Sequence, residues 1–133
     1  MKGLTSNVTR SIPLGARLVC ADNSGAKELE LIAVKGYHGK IRRLPRAGVG
    51  DVIICSVKKG KEKVRKTVVY AVIVRQKKEF MRSDGTRVKF SDNAAVVVNQ
   101  KTIEPVGTEI RSVIAKEVVE RFSAIGKIAS IVL

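Results

Sequence analysis

The chain has no tryptophan, two tyrosines, three phenylalanines and one histidine, His38. Proteins that stack successive bases of a single strand need a row of aromatic side chains, and this sequence lacks one. A lone histidine likewise leaves little raw material for a metal cluster or a histidine-based active site. Only two cysteines occur, Cys20 and Cys55, each inside an apolar run, with no Cys-x-x-Cys spacing and no histidine beside them. They read as free buried thiols of a reducing compartment, with a single disulfide as the alternative. No apolar run approaches the ~18–20 residues of a membrane helix, and Met1 to Pro13 has no apolar signal core. The expectation is a soluble, cytoplasmic chain.

Enzymatic motifs are missing too. Neither Ser24 nor His38 sits in a nucleophile motif. Gly60-Lys61 lacks the earlier glycine and the following Ser/Thr of a phosphate-binding loop. Gly48-Val49-Gly50-Asp51 reads as a turn entering a strand. No catalytic residue, no metal ligand and no cofactor is expected.

Negative charge is also scarce, with 12 Asp and Glu against 26 Lys and Arg, a net charge of +14. The imbalance is local. Residues 35–89 carry 17 basic and 4 acidic side chains, residues 1–34 four and three, and residues 91–133 five of each. A surface built only for solubility mixes its signs, so a concentrated field of one sign implies a polyanionic partner.

Most of the chain reads as short strands. Arg17 to Ala21 leads into the turn quartet Asp22-Asn23-Ser24-Gly25. Lys27 to Val34 alternates roughly, with Leu29, Leu31 and Ala33 on one face. Asp51 to Val57, Thr67 to Arg75 and Ala94 to Val98 are rich in Val and Ile and of strand length. Five strands separated by turns, with little helix before residue 110, predict a mainly β protein: a small closed five-stranded barrel with a basic hairpin and ribbon. From Arg111 to Phe122 the spacing of Ile114, Val118 and Phe122 predicts an amphipathic helix, with Glu117 and Arg121 as an i,i+4 pair on its other face. Ser123 to Ala129 reads as a further turn, and the apolar tail after it is expected to dock.

Three basic segments interrupt the strands. Lys40-Ile41-Arg42-Arg43-Leu44-Pro45-Arg46 forms a loop. Lys58, Lys59, Lys61, Lys63, Arg65 and Lys66 form a second segment; if extended, it sets Lys59, Lys61, Lys63 and Arg65 on one face. The alternative is a solvated loop that orders on binding. The third segment is a hairpin about Asp84-Gly85, where a two-residue type I′ turn sets Arg82 opposite Arg87, Met81 opposite Val88 and Phe80 opposite Lys89. Arg75, Lys77, Lys78 and Lys89 extend it. Like charges facing each other are destabilising in isolation, so an anion across them is the natural reading. With so few aromatics, the partner is folded RNA or DNA recognised by backbone and shape.

Together these segments resemble the universal large-subunit ribosomal protein family called L-fourteen in bacteria and twenty-three in eukaryotes. The resemblance runs from about Leu14 to the C-terminus. It is carried by Ala21-Asp22-Asn23-Ser24-Gly25-Ala26, Ala47-Gly48-Val49-Gly50-Asp51, Ala71-Val72-Ile73-Val74, Asp84-Gly85, Phe90, Asn93, Val96-Val97 and Pro105-Val106-Gly107-Thr108. The segment Tyr37 to Arg46 is closer to the archaeal and eukaryotic branch. The resemblance implies one domain over 1–133, with an extension over 1–13, a barrel over 14–110 and a helical part over 111–133. It also implies a structural protein of the large subunit that binds ribosomal RNA and contributes bridges to small-subunit RNA. Its C-terminal part would meet neighbouring ribosomal proteins and an anti-association factor, initiation factor six, through Arg111, Ile114, Lys116, Glu120 and Lys127. The competing reading is a free-standing chromatin-type or regulatory nucleic-acid-binding barrel.

Overall fold

Runs of β-branched residues bounded by turn-forming residues become strands wherever a neighbouring strand can take up their backbone groups. The computed structural model of the chain describes residues 3–37 and 39–133, so His38 lies outside it, with Met1 and Lys2. In chain order the elements are β1 (Ile12–Pro13), β2 (Arg17–Cys20), β3 (Ala26–Val34), β4 (Arg46–Ala47), β5 (Val52–Gly60), β6 (Val68–Arg75), β7 (Phe80–Met81), β8 (Arg87–Val88), β9 (Ala94–Val98) and β10 (Ile110–Ile114). Two short helices, α1 (Lys116–Arg121) and α2 (Ser123–Ile128), precede the last strand, β11 (Ala129–Val132). Five strands close a barrel in the order β2-β3-β5-β6-β9. Its pairs are antiparallel except at the closure, where β9 runs parallel to β2.

The burial pattern explains which strands alternate. In β3, Leu29 and Leu31 face inward while Ile32 is exposed. In β9 all five residues are buried, and in β6 everything from Ala71 onward is. Alternation disappears on β6 because its outer face is covered as well, by β10 and α1. One side of Ala71-Val72-Ile73-Val74 therefore fills the barrel and the other supports the C-terminal layer.

That layer departs from the sequence expectation. Residues 110–114 are a strand and not the start of a helix. β10 pairs in parallel with β11, with Ile110 opposite Ala129 and Ile114 opposite Val132, and a bulge intervenes where Ser112 adopts φ +64°. Ile114, Val118 and Phe122 keep their four-residue spacing but belong to different elements, and Ala115 is extended between them. Branched Ile110, Val113 and Ile114 suit a strand, but only a partner about 20 residues further along makes one. Residues 123–128, expected as a further turn within the helical C-terminal part, form a short helix, α2. The Glu117–Arg121 pair is also replaced: Glu117 is fully buried and bonds Arg82, while Arg121 donates to the Gly50 carbonyl.

Two further corrections concern turns. The β7–β8 hairpin pairs Phe80 with Val88 and Met81 with Arg87. Its loop is one residue longer than expected: the Gly85 N–H donates to the Arg82 carbonyl (2.9 Å) and the Arg82 N–H to the Thr86 carbonyl (2.8 Å). Gly85 alone supplies positive φ, and Asp84 Oδ1 accepts from both the N–H and the hydroxyl of Thr86. The additional loop residue shifts the register by one, so Arg82 no longer opposes Arg87. The Lys58–Lys66 segment is not an extended ribbon beyond Gly60. Val64 and Arg65 both donate to the Lys61 carbonyl in a compact turn, and Lys66 closes it at φ +66°. A Cβ at Gly60 would lie 2.6 Å from the Gly25 carbonyl oxygen, so only glycine lets the end of β5 lie this close to the start of β3.

The quartet at 22–25 is an anchor. Buried Asp22 accepts from the Cys20 thiol, from Ser24 and from the Val97 N–H. Asn23 accepts from the Thr108 N–H and donates to its hydroxyl, clamping the chain as it leaves the barrel. Both cysteines are free thiols. Burial raises each from 9.0 to about 12, with the Asp22 charge adding to the effect at Cys20. Because the folded values lie above the unfolded ones, the stability they contribute is complete below about pH 9 and is lost as pH rises toward 12. Iodoacetamide at pH 8 should therefore label neither thiol in the native protein and both in urea; rapid native labelling would contradict this burial.

Candidate nucleic-acid interface

Strand ends and tight turns hold the central cations on short, internally bonded segments. Of the sixteen marked in the sequence, Lys40, Arg42, Arg43, Arg46, Lys58, Lys59, Lys61, Lys63, Arg65, Lys66, Lys77, Lys78, Arg87 and Lys89 are exposed. Arg75 and Arg82 are not, and both leave the phosphate-facing set. Arg75 is 7% exposed; it grips Asp92 with two nitrogens (2.9 and 3.2 Å) and donates to the Val113 carbonyl (3.0 Å), tying β6 to β10. Arg82 pairs with Glu117 (2.8 Å) and donates to the Leu133 carbonyl (2.6 Å). Their guanidinium groups are occupied by the fold itself.

The exposed cations divide by partner. On the outer face of the barrel, Lys58 and Lys59 stand 3.8 and 3.6 Å from Glu30 and Glu28, which Arg17 also contacts. The lysines are exposed and their carboxylates partly so, and ion pairs open to solvent in this way are worth only ~0–1 kcal/mol. Among the described residues, Lys40, Arg42, Arg43, Arg46, Lys61, Lys63, Arg65, Lys66, Lys77, Arg87 and Lys89 have no carboxylate within salt-bridge distance.

Tertiary structure gathers some of them and recruits others. A cavity of about 580 Å³ is lined by Arg10, Tyr37, Arg42, Arg43, Leu44 and Arg46. Arg46 is fixed there by β4, which pairs with β1, and Gln76 braces the adjoining loops by accepting from the Val49 N–H and donating to the Thr9 carbonyl. A second cleft, also about 580 Å³, brings Lys27, Lys61 and Arg111 to its lining beside Asn23. Arg10 and Lys27 lie outside the basic centre of the sequence, so neither stands out in the linear charge pattern. Arg111, expected to face a protein, shares its cleft with two lysines.

The remaining C-terminal positions separate in the same way. Glu120 and Lys127 are exposed, Lys116 is half-buried, and Glu120 accepts from the Thr5 hydroxyl (2.9 Å). Ile114 is fully buried against the barrel and is withdrawn as a partner contact. The exposed apolar groups there are Ile131, Val132 and Leu133, whose backbone docks on β10 while the side chains face solvent. The apolar tail was visible in the sequence; which part of it docks was not. No group of three His, Cys, Asp or Glu among the described residues is placed to hold a metal ion.

Comparisons with known proteins place the chain in a family. The family described as ribosomal protein L14p/L23e matches residues 11–133. The chain is 57% identical to the large ribosomal subunit protein uL14 of Methanococcus vannielii over 132 residues, 99% of each chain. It is 58% identical to that of a Methanococcus maripaludis strain over the same span, and 53% identical to that of Thermoplasma volcanium over the whole of both chains. With a closed five-stranded barrel, exposed basic turns and matches of this length, the chain belongs to the ribosomal protein L14p/L23e family as an archaeal-type member, a ribosomal structural protein and not an enzyme.

Proposed function

We propose that this structural constituent of the large ribosomal subunit holds ribosomal RNA through its basic turns and meets proteins through its C-terminal layer. The observation that carries the first half is the set of exposed cations without carboxylate partners on the loop of residues 39–46, the turn of residues 61–66 and the β7–β8 hairpin. Phosphate oxygens complete such groups, and backbone contacts from short, internally bonded turns fix register without reading sequence. RNA helices held in this way, including small-subunit RNA at intersubunit bridges, are recognised by charge and shape.

The second half rests on the open edge of β11. Within its sheet β11 has β10 as its one partner, and its apolar side chains are exposed. An extended segment of a neighbouring ribosomal protein can add to such an edge by main-chain hydrogen bonds. Lys116, Glu120 and Lys127 lie on the same C-terminal layer and fit an anti-association factor such as initiation factor six.

Sedimentation tests the reading. Wild-type protein should remain with large subunits through a moderate salt wash. A Lys61→Gln, Lys63→Gln, Arg65→Gln, Lys66→Gln variant should leave at markedly lower salt. Retention identical to wild type would overturn the role of that turn, and a free pool bound to DNA would favour a regulatory barrel instead.

A further inference from the structure

We propose that the cleft between Arg10 and the segment of residues 39–46 is a site for one unpaired nucleotide of RNA. Its base lies against Tyr37 and Leu44, and its flanking phosphates lie on Arg10, Arg42, Arg43 and Arg46. The inference rests on the RNA-binding reading above and adds to it a specific element of RNA structure.

Four arginines around one cavity account for phosphate but not for the apolar groups among them. Ile41 is 91% exposed and Leu44 68% exposed, in the middle of the basic loop. Tyr37 lines the same cavity and stands apart from the core: Phe80 and Phe122 are buried in it, and Tyr70 and Phe90 pack against it. A loop meant only to solvate, or only to touch a duplex backbone, gains nothing from leaving Ile41 and Leu44 in water beside a half-buried tyrosine. A base removed from its stack needs such surfaces, and the guanidinium plane serves twice, stacking on a base and forking to a phosphate.

Size and backbone agree. The cavity of about 580 Å³ falls within the ~300–1,000 Å³ of sites that hold small ligands. Its rim is preset by a tight turn in which the Arg43 N–H donates to the Lys40 carbonyl (3.0 Å) and Arg42 takes φ +64°, a conformation that branched or long side chains adopt only under constraint. Tyr37 and Arg10 also border a second cavity, of about 350 Å³, lined by Lys35, Asp51 and Arg121; Asp51 stands 3.6 Å from Arg10, whose side chain is 61% exposed, so a phosphate at Arg10 competes with this carboxylate.

The test uses the full chain and two fluorescein-labelled RNA hairpins of one sequence, one carrying a single bulged adenosine and the other fully paired. By fluorescence anisotropy the bulged hairpin should bind about tenfold tighter, the size of one base–aromatic stack. Tyr37→Leu should remove that preference by weakening the bulged hairpin alone, and Tyr37→Phe should keep it. Melting temperature should be unchanged in both variants, because Tyr37 lies outside the core. Equal wild-type affinities for the two hairpins, both steeply salt-dependent, would reject the nucleotide site and leave the RNA reading standing. A preference that survives Tyr37→Leu would also reject it. Binding of neither hairpin would remove the RNA reading and this site with it.

Discussion

Affinity for ribosomal RNA should fall by ~10³–10⁵ between ~50 and ~200 mM salt, the behaviour of a protein making ~6–10 phosphate contacts. The structure can supply that many. Lys40, Arg42, Arg43, Arg46, Lys61, Lys63, Arg65, Lys66, Lys77, Arg87 and Lys89 are exposed without a carboxylate partner among the described residues, and Lys58, Lys59 and Lys78 pair only with partly exposed ones. Each neutralised phosphate releases counterions, so each lost contact lowers the logarithmic salt slope by ~0.7–0.9. Replacing Lys63 and Arg65 with glutamine should therefore flatten the slope by about 1.4–1.8, while Arg82→Gln, whose target is Glu117, should leave it unchanged. Anisotropy titrations across a salt series measure both. A slope that ignores Lys63 and Arg65 would remove them from the interface.

Arg82→Ala should destabilise the protein by ~3–5 kcal/mol, because it strands a buried carboxylate. Glu117 is 0% exposed, and the Arg82 side chain beside it is 11% exposed. The carboxylate also accepts from the Ser6 hydroxyl (2.7 Å), and Arg82 reaches on to the Leu133 carbonyl, so one ion pair joins the N-terminal segment, the hairpin and the last strand. At ~4 °C per kcal/mol for a chain of this size, the melting temperature should drop by about 12–20 °C. The double variant Arg82→Met, Glu117→Leu should recover most of that loss, since replacing a buried pair by apolar groups of similar volume is often neutral. Urea denaturation of the three proteins checks the cycle. A single-variant cost under ~1 kcal/mol would mean that Glu117 finds water and the pair is not buried in solution. The sequence, with Arg82 set against Arg87, implies relief of repulsion on removing Arg82; the ion pair reverses the sign.

The barrel was legible because its signals are local. Val- and Ile-rich runs bounded by Asp22-Asn23-Ser24-Gly25, by Gly48-Val49-Gly50 and by the Asp84-Gly85 turn leave few alternatives to strands. Ala94–Val98 lies where it was expected, and β3, β5 and β6 differ from expectation by one to three residues at their ends. What failed were the features decided by a distant partner. Ile110–Ile114 is a strand because β11 lies beside it, and its spacing alone imitates a helix. The hairpin register is the local exception, turning on one additional loop residue. Tyr37 was one aromatic among five until the fold kept it out of the core and placed it among arginines.

By itself, the sequence determined the fold class, the quantity of positive charge and its concentration in residues 35–89, because composition and period-two patterning survive any arrangement of the chain. It also excluded an aromatic platform running along a strand. Only the tertiary structure decided which cations are available. Arg75 and Arg82 look like their neighbours in sequence, yet each meets a carboxylate 17 or 35 residues away and is withdrawn from solvent. Arg10 and Lys27 join clefts built from segments remote in the chain. A charge carries its sign from the residue type, but whether it can meet a phosphate depends on burial and on the nearest opposite charge, and both are set by contacts distant in sequence.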